Sequence, residues 1–396
     1  MQQEFRNWSG SLRFTPDTIE KPRNEDELAA IVRRAAEDKK IVRPVGAGHS
    51  SMPLVETKDI LVCLEHFRGI TAHDEKTNDV TIRTGLTLNE AGQEFARLGL
   101  GLHNYGDVNV QAAVGAVGTG THGTGKSMQI LSAPHMGVRL VAADGSIREY
   151  SEEKDPEFMK AARLSLGTLG IFTEIRLRLV PAFKVQRKEW CTHIDTCLEN
   201  LDELIKNNRN FDFYWYPRSD EAKLRIINQA NEGMTDVPYA RLDKSMEGPG
   251  HEIIPRHREI KFDEMEYSVP RKAGPECFRE VRKRIKERHR KYVAWRVLYR
   301  TVAADDIYLS GNYRKDTATI SLHHNAGLPY WEFFRDIEPI FRAYSGIPHW
   351  AKKHSLRAEQ LSSLYPEWNR FLQIRKQMDP DGVFLNPFLR ELLGIV

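Results

Sequence analysis

Two glycine-rich runs, about sixty residues apart, constrain this chain more than any other feature of it. The first, Arg43-Pro-Val-Gly-Ala-Gly-His-Ser50, has glycines at alternate positions, so its backbone can turn sharply and come close to a ligand. Successive N–H groups in such a turn make a concavity suited to phosphate, and His49 follows within reach of whatever the loop holds. The second run, Val114 to Gly125, reads Val-Gly-Ala-Val-Gly-Thr-Gly-Thr-His-Gly-Thr-Gly. The second run closes as Gly120-Thr-His-Gly-Thr-Gly-Lys-Ser127, the spacing of a phosphate loop, but neither run gives Gly-x-Gly-x-x-Gly between a strand and a helix. A nicotinamide fingerprint is thereby set aside, and the pair of runs implies an extended dinucleotide.

Around the first run the periodicity predicts strand, helix and strand. Leu28, Ile31, Val32 and Ala35 fall at helical spacing within Glu25 to Asp38, and Ile41 to Val45 reads as the strand that delivers the loop. Strands are expected at Ile60 to Leu64 and Asp79 to Arg83, and an amphipathic helix at Leu88 to Leu98. A hairpin is expected around Asp144-Gly145, then a helix over Phe158 to Leu164 and an alternating strand from Ile171 to Val180. Pro181 ends that pattern and marks a domain boundary. From Phe183 to Tyr344 strands such as Asp212 to Pro217 alternate with long charged helices, among them Phe278 to Tyr292, whose basic run reads as a solvated face. Asn231 to Lys261 reads as a long surface loop.

The 396 residues exceed what one core usually supports, so two domains are expected. A net charge of +3 gives no reason to propose nucleic acid or an anionic membrane as partner. Cys63, Cys191, Cys197 and Cys277 form no Cys-x-x-Cys pair, which argues against a zinc or dithiol site and for reduced thiols. The N-terminus has no apolar signal core, and no run of 18 apolar residues occurs. The expectation is a cytoplasmic protein without an integral membrane segment, in which the Asn7-Trp-Ser9 sequon carries no meaning.

The chain resembles the flavin-dependent oxidoreductases of the vanillyl-alcohol oxidase type, in the branch of sugar-lactone oxidases and dehydrogenases and alditol oxidases. The resemblance is carried by Asn7-Trp-Ser-Gly10, Gly46-Ala-Gly-His-Ser50, Thr121-His-Gly-Thr-Gly125 and Ser165-Leu-Gly-Thr-Leu-Gly-Ile171. It continues through Glu264-Met-Glu-Tyr267, His349-Trp-Ala-Lys352 and Asp379-Pro-Asp-Gly-Val-Phe-Leu-Asn386. It implies an α+β fold: a two-subdomain FAD-binding domain of the PCMH type over residues 1–181, an α/β cap over 182–345 that holds the substrate, and a segment, 346–396, returning to the first domain. FAD is the implied cofactor, bonded covalently to His49. Val45, Gly46, Ala47, Gly48 and Ser50 are expected at the pyrophosphate, completed by Val117, Gly120, Thr121, Thr124 and Gly125, with Ile171 at the adenine edge.

Oxidising an alcohol on flavin needs a group that receives or polarises the hydroxyl proton, and positive charge where the reduced ring becomes anionic. The resemblance puts Lys352 at the substrate, His349 against the flavin and Arg300 toward both. His323 shares a strand face with Ser321 by the two-residue period, and is expected as a polar wall capable of base work. Glu266 reads equally as a cap ion pair or a substrate contact.

Three departures bear on substrate. Leu298 stands where relatives carry a glutamate in Glu-x-Arg, Ala112 where alditol oxidases carry a serine, and Ser321 where they carry a histidine. Lost partners for hydroxyls discriminate against polyols. The leading expectation is an FAD-linked oxidoreductase acting on the CH–OH of an aldonolactone-like or polyol-like substrate, with oxygen or a small carrier as acceptor. The alternatives are an oxidase of a nucleoside or other less polar ring-bearing alcohol, and a flavin-bound module without alcohol chemistry.

Overall fold

The first part of the chain is built where parallel pairing meets a capped helix. The computed structural model describes residues 3–255, 260–293 and 295–395. Strands β1 (Thr18–Glu20), β2 (Val42–Val45) and β3 (Ile60–Cys63) form a parallel sheet in the order β1-β3-β2. Helix α1 (Glu25–Glu37) crosses between β1 and β2. Its start is fixed by Asn24, whose side chain accepts the Glu27 N–H at 2.9 Å, and by three acidic residues facing the positive helix end. Its apolar stripe of Leu28, Ile31, Val32 and Ala35 packs with Val42, Ile60, Val62 and Phe384.

An antiparallel sheet follows, from β4 (Ile70–Asp74), β5 (Asp79–Arg83), β6 (His135–Val141), β7 (Ile147–Ser151) and β8 (Ile171–Arg178), in the order β7-β6-β8-β5-β4. Helix α2 (Leu88–Arg97) begins with a reciprocal Thr87–Glu90 capping box. Helix α3 (Ala113–Gly118) takes up the first half of the second glycine run, and α4 (Pro156–Ala162) lies beside the sheet.

The remainder is organised on one antiparallel sheet of eight strands among the described residues. Its members are β9 (Lys184–His193), β10 (Asn210–Tyr216), β11 (Glu221–Gln229), β12 (Arg241–Pro249), β13 (Phe262–Pro270), β14 (Val297–Val302), β15 (Thr317–Asn325) and β16 (Ile347–Pro348). They run in the order β12-β9-β11-β10-β14-β15-β13-β16, backed by α5 (Gly274–Arg284) and α6 (Trp331–Ala343). The basic run of α5 and the turn after it pairs with acids: Arg282 with Asp195 and Asp220, Lys286 with Asp220, Arg284 with Asp336. The expected loop at 231–261 is corrected: it contains β12 and a helical turn, Gly250–Ile253, because residues 241–249 pair in register with β9. Residues 256–259 of that stretch lie outside the described residues.

The tail, with α7 (Trp368–Met378) and α8 (Pro387–Leu393), returns to the first sheet. The Val42 N–H donates to Val383 O at 2.8 Å, and Asn386 Nδ2 donates to Pro53 O and Glu56 O at 2.9 and 2.7 Å. Arg43, 1% exposed, donates to Leu54 O at 2.9 Å, to Gly167 O and Leu166 O at 2.8 Å each, and to Phe384 O. One guanidinium thus ties four carbonyls from three distant stretches, and burial pushes its pKa down to about 9. No described helix is long and apolar enough to cross a membrane. Arg43→Met leaves those carbonyls buried without donors and is expected to cost about 3–5 kcal/mol of stability, measured by chemical denaturation.

Candidate active site

The first glycine run leaves β2 at Val45 and turns at Gly48, whose φ of +65° lies in the region that glycine adopts without strain. Gly46 has a different reason to be glycine: a Cβ there would lie 2.5 Å from Ala112 Cβ, so the first run touches the chain just ahead of the second. The entry motif clips the loop from outside. Asn7 Nδ2 donates to Ser50 O at 3.0 Å, the Trp8 N–H donates to Gly48 O at 2.7 Å, and the Trp8 ring stacks on His49 with centroids 5.0 Å apart. The backbone N–H groups of Ala47, Gly48, His49 and Ser50 take no acceptor among the described residues and face a cavity of about 360 Å³.

Val45, Gly46, Ala47, Gly48, His49 and Ser50 line that cavity, as do Thr121, Ile171 and His349. Val117, Gly120, Thr124 and Gly125 do not, which corrects their expected placement. Val117 lies on the buried side of α3, its carbonyl accepting Ser132 Oγ at 2.6 Å. Gly120 and Gly125 are glycines for packing: an added Cβ would meet Leu164 at 2.9 Å and Met128 at 2.5 Å. Thr124 donates to Phe211 O at 2.5 Å and holds the run to β10. The face of α3 that does open on the cavity carries Gly115 and Gly118, where an added Cβ would meet nothing within 4 Å.

The opposite wall is a face of the eight-stranded sheet. Tyr214, Leu298, Ser321 and Glu266 stand side by side on four adjacent strands. Leu298, Glu266, Arg300 and His323 line the cavity, joined by Lys352 from the loop after β16. Ser321 does not line it, a further correction: fully buried, it hydrogen-bonds Glu266. Glu266, 1% exposed, also pairs with Arg300 and accepts His122 Nε2 at 2.9 Å, while His122 Nδ1 lies 2.9 Å from Gly123 O. Burial alone would raise the Glu266 carboxyl, but Arg300 and His122 hold it well below the carboxylate range. Arg300 therefore keeps a carboxylate partner despite the leucine at 298.

His349 hangs its backbone N–H on Glu266 O at 3.0 Å, and its Nδ1 accepts the Ala351 N–H at 3.1 Å, which leaves the proton on Nε2. Burial pushes it down to about 4, against the pull of Glu266. Burial also pushes His49 down to about 4, reinforced by the Lys352 and Lys261 cations. Both imidazoles are neutral at physiological pH.

Among the lining residues to which the sequence reading gives no role are Trp8, Asp107, His122 and Glu264. Glu264 was within reach of it, since the two-residue strand period places it on the face of Glu266. His122 lies inside a quoted motif. Asp107, held by Tyr214 at 2.5 Å and Arg225 at 2.9 Å, left no signal in its own neighbourhood of the chain.

The profile of the D-arabinono-1,4-lactone oxidase family matches residues 175–248 and 225–392. L-gulono-1,4-lactone dehydrogenase of Mycobacterium tuberculosis is 33% identical over 431 residues, covering 100% of each chain. The chain belongs to the D-arabinono-1,4-lactone oxidase family. L-gulonolactone oxidase of Mus musculus is 26% identical, covering 98% of each chain. Among solved structures, cholesterol oxidase from Brevibacterium sterolicum superposes with a TM-score of 0.88 at 17% identity, covering 99% of this chain and 97% of that one, and shares the fold. An FAD-binding domain profile matches residues 16–151. This member of the lactone oxidase family is an FAD-dependent oxidoreductase.

The cavity fits that cofactor. Four unpaired N–H groups suit a pyrophosphate, and the side-chain-free face at Gly115 and Gly118 leaves room that a Cβ would fill. Gly118→Val is expected to fold normally yet to lose most of its flavin, read from the ratio of flavin to protein absorbance. Gly125→Val, where the backbone φ is +139° and a Cβ would clash, is expected to lose thermal stability instead.

Proposed function

We propose that this enzyme oxidises a ring CH–OH of an aldonolactone-like sugar derivative. The observation that carries the reading is the convergence of Lys352, His323, Arg300 and the neutral His349 on one cavity wall, in a chain whose full-length relatives bear lactone oxidase and dehydrogenase names. FAD, when bound, supplies the hydride acceptor. The protein's part is to orient the carbinol, take its hydroxyl proton and keep positive charge beside the ring.

His323 is the base. Its Nδ1 lies 3.2 Å from Arg296 O and donates there, so Nε2 is the nitrogen that receives the proton. The Lys352 ammonium donates to the substrate oxygen, and Arg300, fixed by Glu266, supplies the charge toward flavin and substrate. Leu298 offers the C–H face of a sugar ring an apolar contact. Val45 to Ser50 and Thr121 hold the dinucleotide, with Ile171 at its adenine edge, and His349 donates its Nε2 proton on the flavin side.

A nucleoside or other ring-bearing alcohol is not favoured. The argument for it rests on the carboxylate missing at Leu298 and the hydroxyl missing at Ala112; Glu266 supplies the carboxylate from two strands away. Anaerobic mixing with L-gulono- and D-arabinono-lactones is expected to bleach the flavin; bleaching by nucleosides alone would overturn the reading. Reoxidation of the bleached enzyme by air, or only by an added quinone or cytochrome, then identifies the acceptor.

His49 is the covalent attachment point. A pKa of about 4 leaves its imidazole unprotonated, hence nucleophilic, at neutral pH. Protonation grows as pH falls through 4, so covalent incorporation of FAD into apoprotein is expected to be constant above about pH 5 and to decline below it. Acid precipitation reads the outcome: colour stays with the wild-type pellet and leaves with the supernatant in His49→Ala.

A further inference from the structure

Glu264 stands between two groups of the proposed reaction without having been assigned a part in it. It is 5% exposed, and each side of it is engaged. Its Oε2 lies 2.5 Å from Lys352 Nζ and its Oε1 lies 3.6 Å from His323 Nε2. Its backbone carbonyl accepts the Lys353 N–H at 2.8 Å, so main chain and side chain grip the same stretch of the 349–353 loop. Burial alone would raise this carboxyl, yet the Lys352 and His323 neighbours bring it down to about 2, and it is ionised throughout the working range.

The arrangement is asymmetric in a way that matters for function. Lys352 has four rotatable carbons and would otherwise explore the cavity mouth, where its side chain is 24% exposed. A buried, ionised carboxylate in direct contact confines the ammonium to one position. The same carboxylate faces the nitrogen of His323 that receives a proton, and a fixed negative charge there favours the protonated ring.

We propose that Glu264 is the positioning residue of this site, holding the Lys352 ammonium in place for the substrate oxygen and acting as counter-charge to His323. The proposal rests on the alcohol-oxidation reading. In the step it serves, the substrate C–H pair leaves as hydride to the flavin, the O–H proton passes to His323 Nε2, and the carbinol becomes a carbonyl. Glu264 neither gains nor loses a proton.

The test is a double-mutant cycle of Glu264→Gln and Lys352→Met on the holoenzyme, with the lactone that bleaches the flavin most rapidly. Glu264→Gln is expected to lower kcat about 30-fold in the wild-type background and by less than about threefold when Lys352 is already methionine. Glu264→Asp should recover a large part of the loss. Equal costs in both backgrounds, or an unchanged kcat, would overturn the proposal, because a merely structural role is additive.

A second readout needs no turnover. Amine labelling of the holoenzyme, quantified at Lys352 by mass spectrometry, is expected to be severalfold faster in Glu264→Gln, since the ammonium is no longer tied to a carboxylate. Unchanged labelling overturns the contact. Faster labelling in an enzyme whose flavin no lactone reduces would sink the substrate reading and leave the positioning contact standing. If Glu264→Gln does not fold, Glu264→Asp carries the same cycle, with a smaller loss that must again vanish in the Lys352→Met background.

Discussion

The guanidinium of Arg43 is the contact on which the rest of the first domain depends. The residue sits inside β2, one turn of chain before the loop that carries His49, and four backbone carbonyls converge on it. Two come from Leu166 and Gly167, one from Leu54 and one from Phe384, so the loop before β8, the loop after β2 and the returning tail are fixed relative to one another by one side chain. No carboxylate completes an ion pair with it among the described residues. A buried cation whose hydrogen bonds all go to carbonyl dipoles, helped only at longer range by the Asp379 charge, is costly to form and sensitive to position, because each dipole must point inward. That requirement makes the geometry of the Gly46–Ser50 loop a property of the whole domain rather than of the loop.

A second constraint governs the sheet wall. The motif Glu264 to Tyr267 lies in β13, and the motif His349 to Lys352 follows β16 along the edge of that strand. Tyr267 pairs with Pro348 and Ser268 with Ile347; beyond the strand, the His349 and Lys353 N–H groups still reach Glu266 O and Glu264 O. Backbone pairing therefore sets two carboxylates against a histidine and a lysine that are over eighty residues away in sequence. The register leaves little freedom: a slip by one residue would turn both carboxylates to the other face. The site's charges are arranged by main-chain hydrogen bonds first and by side-chain attraction second.

Legibility in the sequence followed the range of the physics. Local signals came through well: the Asn24 cap and the α1 stripe, the β2 strand into its loop, the Asp144-Gly145 hairpin and the α2 stripe all rest on neighbours a few residues apart. The first glycine run was read residue by residue because a loop's backbone donors are local too. The second was read as uniform when it is divided: a helical face of Gly115 and Gly118 toward the cavity, then glycines and a threonine that serve packing against Leu164, Met128 and β10. Glycine content alone does not distinguish open space from crowding. Strand β12 reads as loop in the sequence because its side chains are polar and exposed, as an edge strand's commonly are.

The deepest consequence of long-range placement concerns the leucine at 298. Judged along its own strand, Leu298-Tyr-Arg300 has lost a carboxylate, and the arginine looks unpartnered. Across the sheet the same arginine meets Glu266, with Ser321 on the intervening strand bonded to the same oxygen and His122 to the other. The serine at 321 thereby belongs to the network that gives Arg300 a partner despite the leucine at 298. The wall keeps its charge balance by drawing the carboxylate from β13 rather than from the strand that carries the arginine, so the register of three strands, not the local motif, decides whether Arg300 has a partner.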